Sequence, residues 1–226
     1  MDINIMKKPL NALGNKTRQV NKKLRRESIF NTAKRLIATK GLEYFTISEL
    51  ANEAGVTTPT VHNLFGKKSD IIKELVSELI EQMQRVFLDN PPSDPIENAK
   101  FFIGNMVSAF EKNTNFYRAA LMSAEQVKLF DPRIPNGLFQ RAQQLAAPRK
   151  EWYESGLFLG NIEPSTIMKR VHNSNRLGRL DWVNGYIDLN QYRHQVLESI
   201  LLAYASDANP ELYARLSKEI SLLNSL

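Results

Sequence analysis

Residues 46–68, TISELANEAGVTTPTVHNLFGKK, divide into two short helices joined by a tight turn, and each part has a local cause. Thr46 followed by Glu49 is a capping box, in which a hydroxyl and a carboxylate satisfy the free N–H groups of a helix start. Ile47, Leu50, Ala51 and Ala54 recur at helical spacing and make one face apolar. Gly55 falls where that helix must stop, since glycine enters a left-handed C-cap at little cost. Val56 fits the angle that follows. Thr57 or Thr58 caps the next helix, and Pro59 is tolerated in a first turn, where its missing N–H would have no partner. Val61, Leu64 and Phe65 supply the inward face of this second helix; Thr58, Thr60, His62 and Asn63 supply an outward face of short polar groups. A helix–glycine–helix unit with a compact polar outer face has the shape that enters a DNA major groove. The bare pattern also fits any helical hairpin, so the flanks carry the decision.

Upstream, RRESIFNTAKRLIATKGLEYF (25–45) is an amphipathic helix through Ile29, Ala33, Leu36 and Ile37, ending at Gly41. Downstream, Phe65-Gly-Lys-Lys68 leads directly into another helix that begins near Asp70. This run, roughly residues 25 to 80, resembles the N-terminal DNA-binding domain of the TetR/AcrR family of transcriptional regulators. The matching elements are Gly41, the Thr-Ile-Ser-Glu-Leu-Ala-x-x-Ala-Gly-Val block at 46–56, Thr-Pro-Thr-Val at 58–61, and Phe65-x-x-Lys68. His62 stands where the family usually has tyrosine, and Leu64 where it often has an aromatic residue or histidine. The resemblance implies that Thr46, Ser48, Thr57, Thr58, Pro59, Thr60, His62, Asn63, Lys67 and Lys68 meet DNA. It further implies a homodimer on an inverted-repeat operator in double-stranded DNA, acting as a repressor released by a small effector.

Charge placement agrees with such a reader. Of the net +6, residues 1–70 hold 13 Lys/Arg against 6 Asp/Glu, whereas the remainder holds 17 against 18. The basic surplus therefore lies wholly where phosphate neutralisation would use it. Residues 1–24 are expected to be an arm, because Lys7, Lys8, Lys16, Arg18, Lys22, Lys23, Arg25 and Arg26 are interleaved with Asn, Gly and Pro without periodicity. Such an arm is either a solvated tail or a segment that finds phosphates or a minor groove once DNA is present. The expected organisation is a basic flexible arm (1–24), a helix-turn-helix domain (25–68) and a helical effector-binding and dimerisation domain (69–226).

With 42% hydrophobic residues in 226, the chain can bury a substantial core. The absence of cysteine removes disulfides and thiolate metal sites and suits a reducing cytoplasm. The N-terminus lacks a signal-peptide apolar core and no stretch reaches membrane-spanning length, so a cytoplasmic location without membrane partners is expected. The segment SDIIKELVSELIEQMQRVFLD (69–89) keeps Ile72, Leu75, Val76, Leu79, Ile80, Met83, Val86 and Phe87 on one stripe and ends at Asn90-Pro-Pro-Ser-Asp-Pro95. In the family this element carries ligand binding to the DNA helices.

Beyond Ser93 only helical patterns occur, and the fold class is all-α. Helices are expected over 95–113 (capped by Ser93 or Asp94), 115–130, about 136–154, from Pro164 to Gly185, from Asp188 and from Asn209-Pro210. The resemblance places the dimer interface on the last two (about 188–205 and 210–225), helped by 165–184; a purely internal core would use the same seams. Met83, Phe87, Phe102, Met106, Phe110, Phe116, Tyr117, Met122, Phe139, Trp152 and Trp182 are candidates to line an effector pocket, together with His172. Aromatic and methionine side chains suit an apolar effector, although at helical spacing each is equally at home in a plain core. His172, Asn173 and Arg176 share a helix and could act as polar anchors or as structural groups.

Catalysis has little to start from. The three histidines (62, 172, 194) form neither His-Glu-x-x-His nor Glu-x-x-His, and no Gly-x-Ser-x-Gly or phosphate-cradling loop is present. No metal and no cofactor is expected. The alternatives to a regulator are a helical protein-interaction adaptor, whose basic end serves acidic partners, and an enzyme without a recognisable catalytic motif.

Overall fold

A computed structural model describes residues 11–41, 44–88, 90–126, 128 and 148–225 of the chain. Among them every regular element is a helix, apart from one isolated antiparallel bridge between Phe158 and Ala208. The fold is all-α. Among the described residues no helix is long and apolar enough to cross a membrane. The chain divides into two compact units after Ile71.

The first unit contains α1 (Asn11–Lys40), α2 (Ile47–Glu53), α3 (Thr58–Phe65) and the first turn of α4 (Lys68–Leu88). Its interior is built from Ile29, Ala33, Leu36 and Ile37 of α1, with Phe45, Leu50, Ala51, Val61, Phe65 and Ile71. The division at Ile71 lies a little beyond the expected 68. Asp70 accepts from the Lys67 amide at 2.8 Å, so the first turn of α4 is tied to the turn that leaves α3. The expected arm is corrected more substantially. Residues 11–24 are the first half of α1, whereas residues 1–10 lie outside the described part. Arg, Lys, Gln and Leu are good helix formers, and the packed half of α1 provides the nucleus from which helix extends N-terminally. Lys23 and Glu27 support it as an i,i+4 pair at 3.9 Å.

The second unit holds the rest of α4 with α5 (Pro95–Lys112), α6 (Thr114–Gln126), α7 (Lys150–Glu154), α8 (Pro164–Val183), α9 (Leu189–Ala205) and α10 (Pro210–Leu223). Of the segment expected over 136–154, only Lys150–Glu154 is described as helix, and residues 136–147 lie outside the description. Helix α9 is the axis of this unit, packing against α5, α8 and α10 and burying Tyr192, Val196, Leu197, Ile200, Leu201 and Tyr204. Gly178 lets α8 approach it: a Cβ there would stand 2.8 Å from Val196 Cγ2. The caps follow the sequence. Asp94 accepts from the Ile96 and Glu97 amides, Asp188 forms a full capping box with Gln191, and Asn209 caps α10. Asp207 is buried between α9 and α10, and its carboxylate accepts from the amides of Gly160 (3.0 Å), Asn161 (2.9 Å) and Ile162 (3.2 Å). That one side chain fixes the loop ahead of α8 to the α9–α10 corner.

Candidate nucleic-acid interface and ligand site

Helix α2 starts where Thr46 Oγ1 accepts from the Glu49 amide at 3.1 Å. The reciprocal half of the capping box is absent, because the Glu49 carboxylate turns to Lys40 Nζ at 2.5 Å. An ammonium is a stronger partner for a carboxylate than a backbone amide within reach of water. The chain leaves α2 through Gly55 at φ 64°, with the Val56 amide donating to Ala51 at 2.9 Å. Thr57 rather than Thr58 is the N-cap of α3, and its hydroxyl pairs with that of Thr60 at 2.9 Å instead of capping an amide.

Val61 and Phe65 turn inward, and Phe65 is held by Phe30 (centroids 6.1 Å apart) and by the Arg26 guanidinium 4.5 Å above its ring. Leu64, expected beside them, is only half-buried. An eight-residue helix with two large inward anchors has turned that position to the edge of the core. Thr46, Ser48, Thr57, Pro59, His62, Asn63 and Lys67 are exposed; Thr58, Thr60 and Lys68 are half-buried, Lys68 lying 5.7 Å from the Phe45 ring centre. His62 is therefore not a core histidine. Its Nδ1 lies 2.9 Å from the Gly66 carbonyl, which can only accept, so that nitrogen carries the proton and Nε2 points outward. Gly66 closes α3 at φ 85° and ψ −128°, a conformation essentially restricted to glycine.

A groove of about 470 Å³ runs beside this polar face. One wall is Thr60, Asn63 and Leu64 of α3; the other is Arg18, Asn21, Lys22 and Arg25 of α1. The sequence names these cations but hides their alignment, which exists only once residues 11–24 are helical.

In the second unit the pocket candidates separate into groups. Phe102, Met106, Phe110, Trp152, His172 and Trp182 are buried, and Phe116 and Tyr117 are half-buried. The side chains of Met83 and Phe87, and the whole of Phe139, lie outside the description. Met122 is exposed, because α6 turns Ala120, Leu121 and Ala124 inward and leaves position 122 on the other side. Phe110 stacks on Trp182 at 4.6 Å and meets Tyr117 at 5.3 Å and Tyr192 at 5.8 Å. Trp152 serves a separate cluster with Phe158 and Tyr204, and its Nε1 donates to the Ser93 carbonyl at 2.6 Å.

A polar stripe of α8 adjoins the first cluster. Tyr192 donates to Asn175 Oδ1 at 3.0 Å, with Met106 Sδ also close at 2.7 Å. Arg176 holds both oxygens of Glu125 (3.0 and 2.6 Å), and Arg179 lies 3.6 Å from the same carboxylate. His172 is 5% exposed, and burial, with Arg179 and Arg176 nearby, lowers its pKa to about 4. Burial likewise raises the Tyr192 pKa and lowers that of Arg179. Asn173, expected to share the anchoring role, is exposed; Asn175 and Arg179 occupy the inward face instead. Spacing alone shows the difference, since residues 172, 175, 176 and 179 follow the i, i+3, i+4, i+7 rhythm of one helix face and 173 does not.

Residues 29–75 match the family described as "Bacterial regulatory proteins, tetR family". The HTH-type transcriptional regulator BetI of Agrobacterium fabrum is 34% identical over 62 residues, which cover 27% of this chain and 30% of that protein. The HTH-type transcriptional regulator EthR of Mycolicibacterium smegmatis is 29% identical over 112 residues, 47% of this chain and 52% of its own. The matches thus span between about a third and a half of these curated relatives. Among solved structures, Thermus thermophilus FadR, a TetR-family repressor in complex with lauroyl-CoA, superposes with a TM-score of 0.56 at 20% identity, over 78% of this chain and 93% of that one. The N-terminal helix-turn-helix unit, over residues 29–75, is thus similar to that of the tetR family of bacterial regulatory proteins.

Proposed function

We propose that this protein is a ligand-responsive transcriptional repressor that binds an inverted-repeat operator as a homodimer in the cytoplasm. The observation that carries the reading is the outward face of α3. Thr60, His62 and Asn63 stand at the surface of a folded helix-turn-helix, unburdened by any carboxylate, in the unit that holds the chain's whole basic surplus. In this reading residues 25–68 contact DNA through Thr46, Ser48, Thr57, Thr58, Pro59, Thr60, His62, Asn63, Lys67 and Lys68. Residues 69–226 bind the effector and pair the subunits. Leu177 of α8, Leu202 of α9, and Tyr213 and Leu222 of α10 are large exposed apolar side chains on the helices expected to pair, which favours a dimer through that face.

The effector is small and largely apolar, met by the aromatic group around Phe110 and Trp182 and oriented by polar groups of α8. The lauroyl-CoA held by the Thermus thermophilus repressor carries an apolar acyl chain on a polar, anionic headgroup, and its chain makes it the natural first probe. The test is selection of bound duplexes from a random pool, followed by titration of the selected site with lauroyl-CoA and shorter acyl-CoAs. The expected result is an inverted repeat bound by two subunits and released by one of these ligands. Failure to enrich any sequence refutes the reading.

A further inference from the structure

We propose that the N-terminal half of α1 is a second DNA-contacting element, and that the groove between it and α3 takes one sugar–phosphate strand of the duplex flanking the major groove. This rests on the reading of α3 as a DNA reader and extends it to residues outside the family match, which starts at residue 29.

Helix α1 keeps one phase along its length. Its inward seam in the packed half is Ile29, Ala33 and Leu36, all buried. Continued toward the N-terminus at the same three- and four-residue spacing, the seam becomes Arg25, Lys22 and Arg18. One face of one helix thus changes from apolar to cationic where the three-helix core ends. A helix that needed only solubility would put its charges on the outer face. Here the outer face carries Val20 and Leu24, 56% and 58% exposed, beside the mutually paired Lys23 and Glu27, whereas Arg18, Lys22 and Arg25 line the groove.

The opposite wall of that groove is Thr60, Asn63 and Leu64, part of the very face proposed to meet base edges. A strand lying there would be held from one side by α1 while α3 enters the adjoining groove. Charge complementarity fixes the occupant as polyanionic: Arg18, Lys22 and Arg25 are exposed and make no ion pair or hydrogen bond among the described residues. Neighbouring cations are already engaged, Lys23 with Glu27 and Arg26 over Phe65. Phosphate contacts of this sort add affinity and register without reading sequence.

The experiment compares the full chain with the variant Arg18→Gln/Lys22→Gln/Arg25→Gln. A control of equal charge change, Lys112→Gln/Lys150→Gln/Lys218→Gln, alters exposed lysines of the second unit. Affinity for the selected site and for a scrambled duplex is measured from low to moderate KCl. The seam variant is expected to lose affinity for both duplexes by a similar factor, and the slope of log K against log salt to fall by about 3 per subunit, near 0.9 for each phosphate released. The control keeps the wild-type slope. In a second arm, uncharged methylphosphonates replace single phosphates flanking each half-site. These weaken wild-type binding and have no further effect on the seam variant, a coupling that misfolding would not imitate.

Equal salt slopes for wild type and seam variant overturn the inference while leaving the reader standing. So does a seam variant that loses its preference for the selected site, or one whose response to methylphosphonates matches wild type. A wild-type protein that selects no sequence overturns the reader and the inference together.

Discussion

His172 offers a sharp test of the second unit, because its burial has a measurable consequence in pH. The imidazole is 5% exposed on α8, with Arg176 and Arg179 on the same face and Glu125 opposite them. Burial is the largest influence on it, then the two guanidiniums, and only Glu125 favours the charged ring; the pKa falls from 6.5 to about 4. Between these values the unfolded chain binds a proton at this ring that the folded chain refuses. Stability must then rise with pH through that window and be fully present above the unfolded value. Each pH unit of separation is worth 1.36 kcal/mol, so the interval amounts to about 3 kcal/mol, most of it lost between pH 6 and 4.5. Urea unfolding followed by circular dichroism, at fixed protein concentration and with constant m-value, measures it for wild type and His172→Gln. The other histidines, His62 and His194, are common to both proteins, so the difference between the two profiles isolates residue 172. That difference should change by about 2–3 kcal/mol between pH 7.5 and 4.5, the wild type losing more on acidification. Parallel profiles would refute the buried neutral imidazole and with it the inward phase of α8.

Three further outcomes follow from individual contacts. Asp207→Ala leaves the amides of Gly160, Asn161 and Ile162 without their acceptor and should lower unfolding stability by about 3 kcal/mol; a loss below about 1 kcal/mol would mean that water replaces the carboxylate. Gly66→Ala places a Cβ 2.6 Å from Asp70 Oδ2 in a backbone conformation worth about 1–3 kcal/mol of strain, and it should weaken both thermal stability and operator binding, whereas Gly104→Ala, which meets nothing within 4 Å, should be neutral or stabilising. Because Nδ1 of His62 donates to the Gly66 carbonyl, Nε2 is the ring nitrogen left to face the duplex, so His62→Ala should weaken operator binding by about 1 kcal/mol. Operator affinity unchanged in that variant would place His62 away from the DNA.

The helix-turn-helix was legible because every local signal in residues 46–68 agreed: caps, a stop glycine and an inward face at helical spacing. The same holds for the caps at Asp94, Asp188 and Asn209, where a short polar side chain meets amides only two or three residues away. These are contacts within one turn, and the chain carries both partners side by side. What depended on tertiary structure was the identity of partners far apart in sequence and the phase of weakly patterned helices. Glu49 had two possible partners, and the arrival of Lys40 from α1 decided between them. Residues 11–24 lack an apolar stripe, so only the packed remainder of α1 makes them helical and aligns Arg18, Lys22 and Arg25 on one seam. On α8, residues 172–179 are polar enough to read as a solvated face. The facing Glu125, Met106 and Tyr192, brought from three other helices, turn His172, Asn175 and Arg179 inward. Local hydrogen bonds are encoded by neighbours, whereas burial of a polar group is settled by whatever distant side chains arrive to satisfy it.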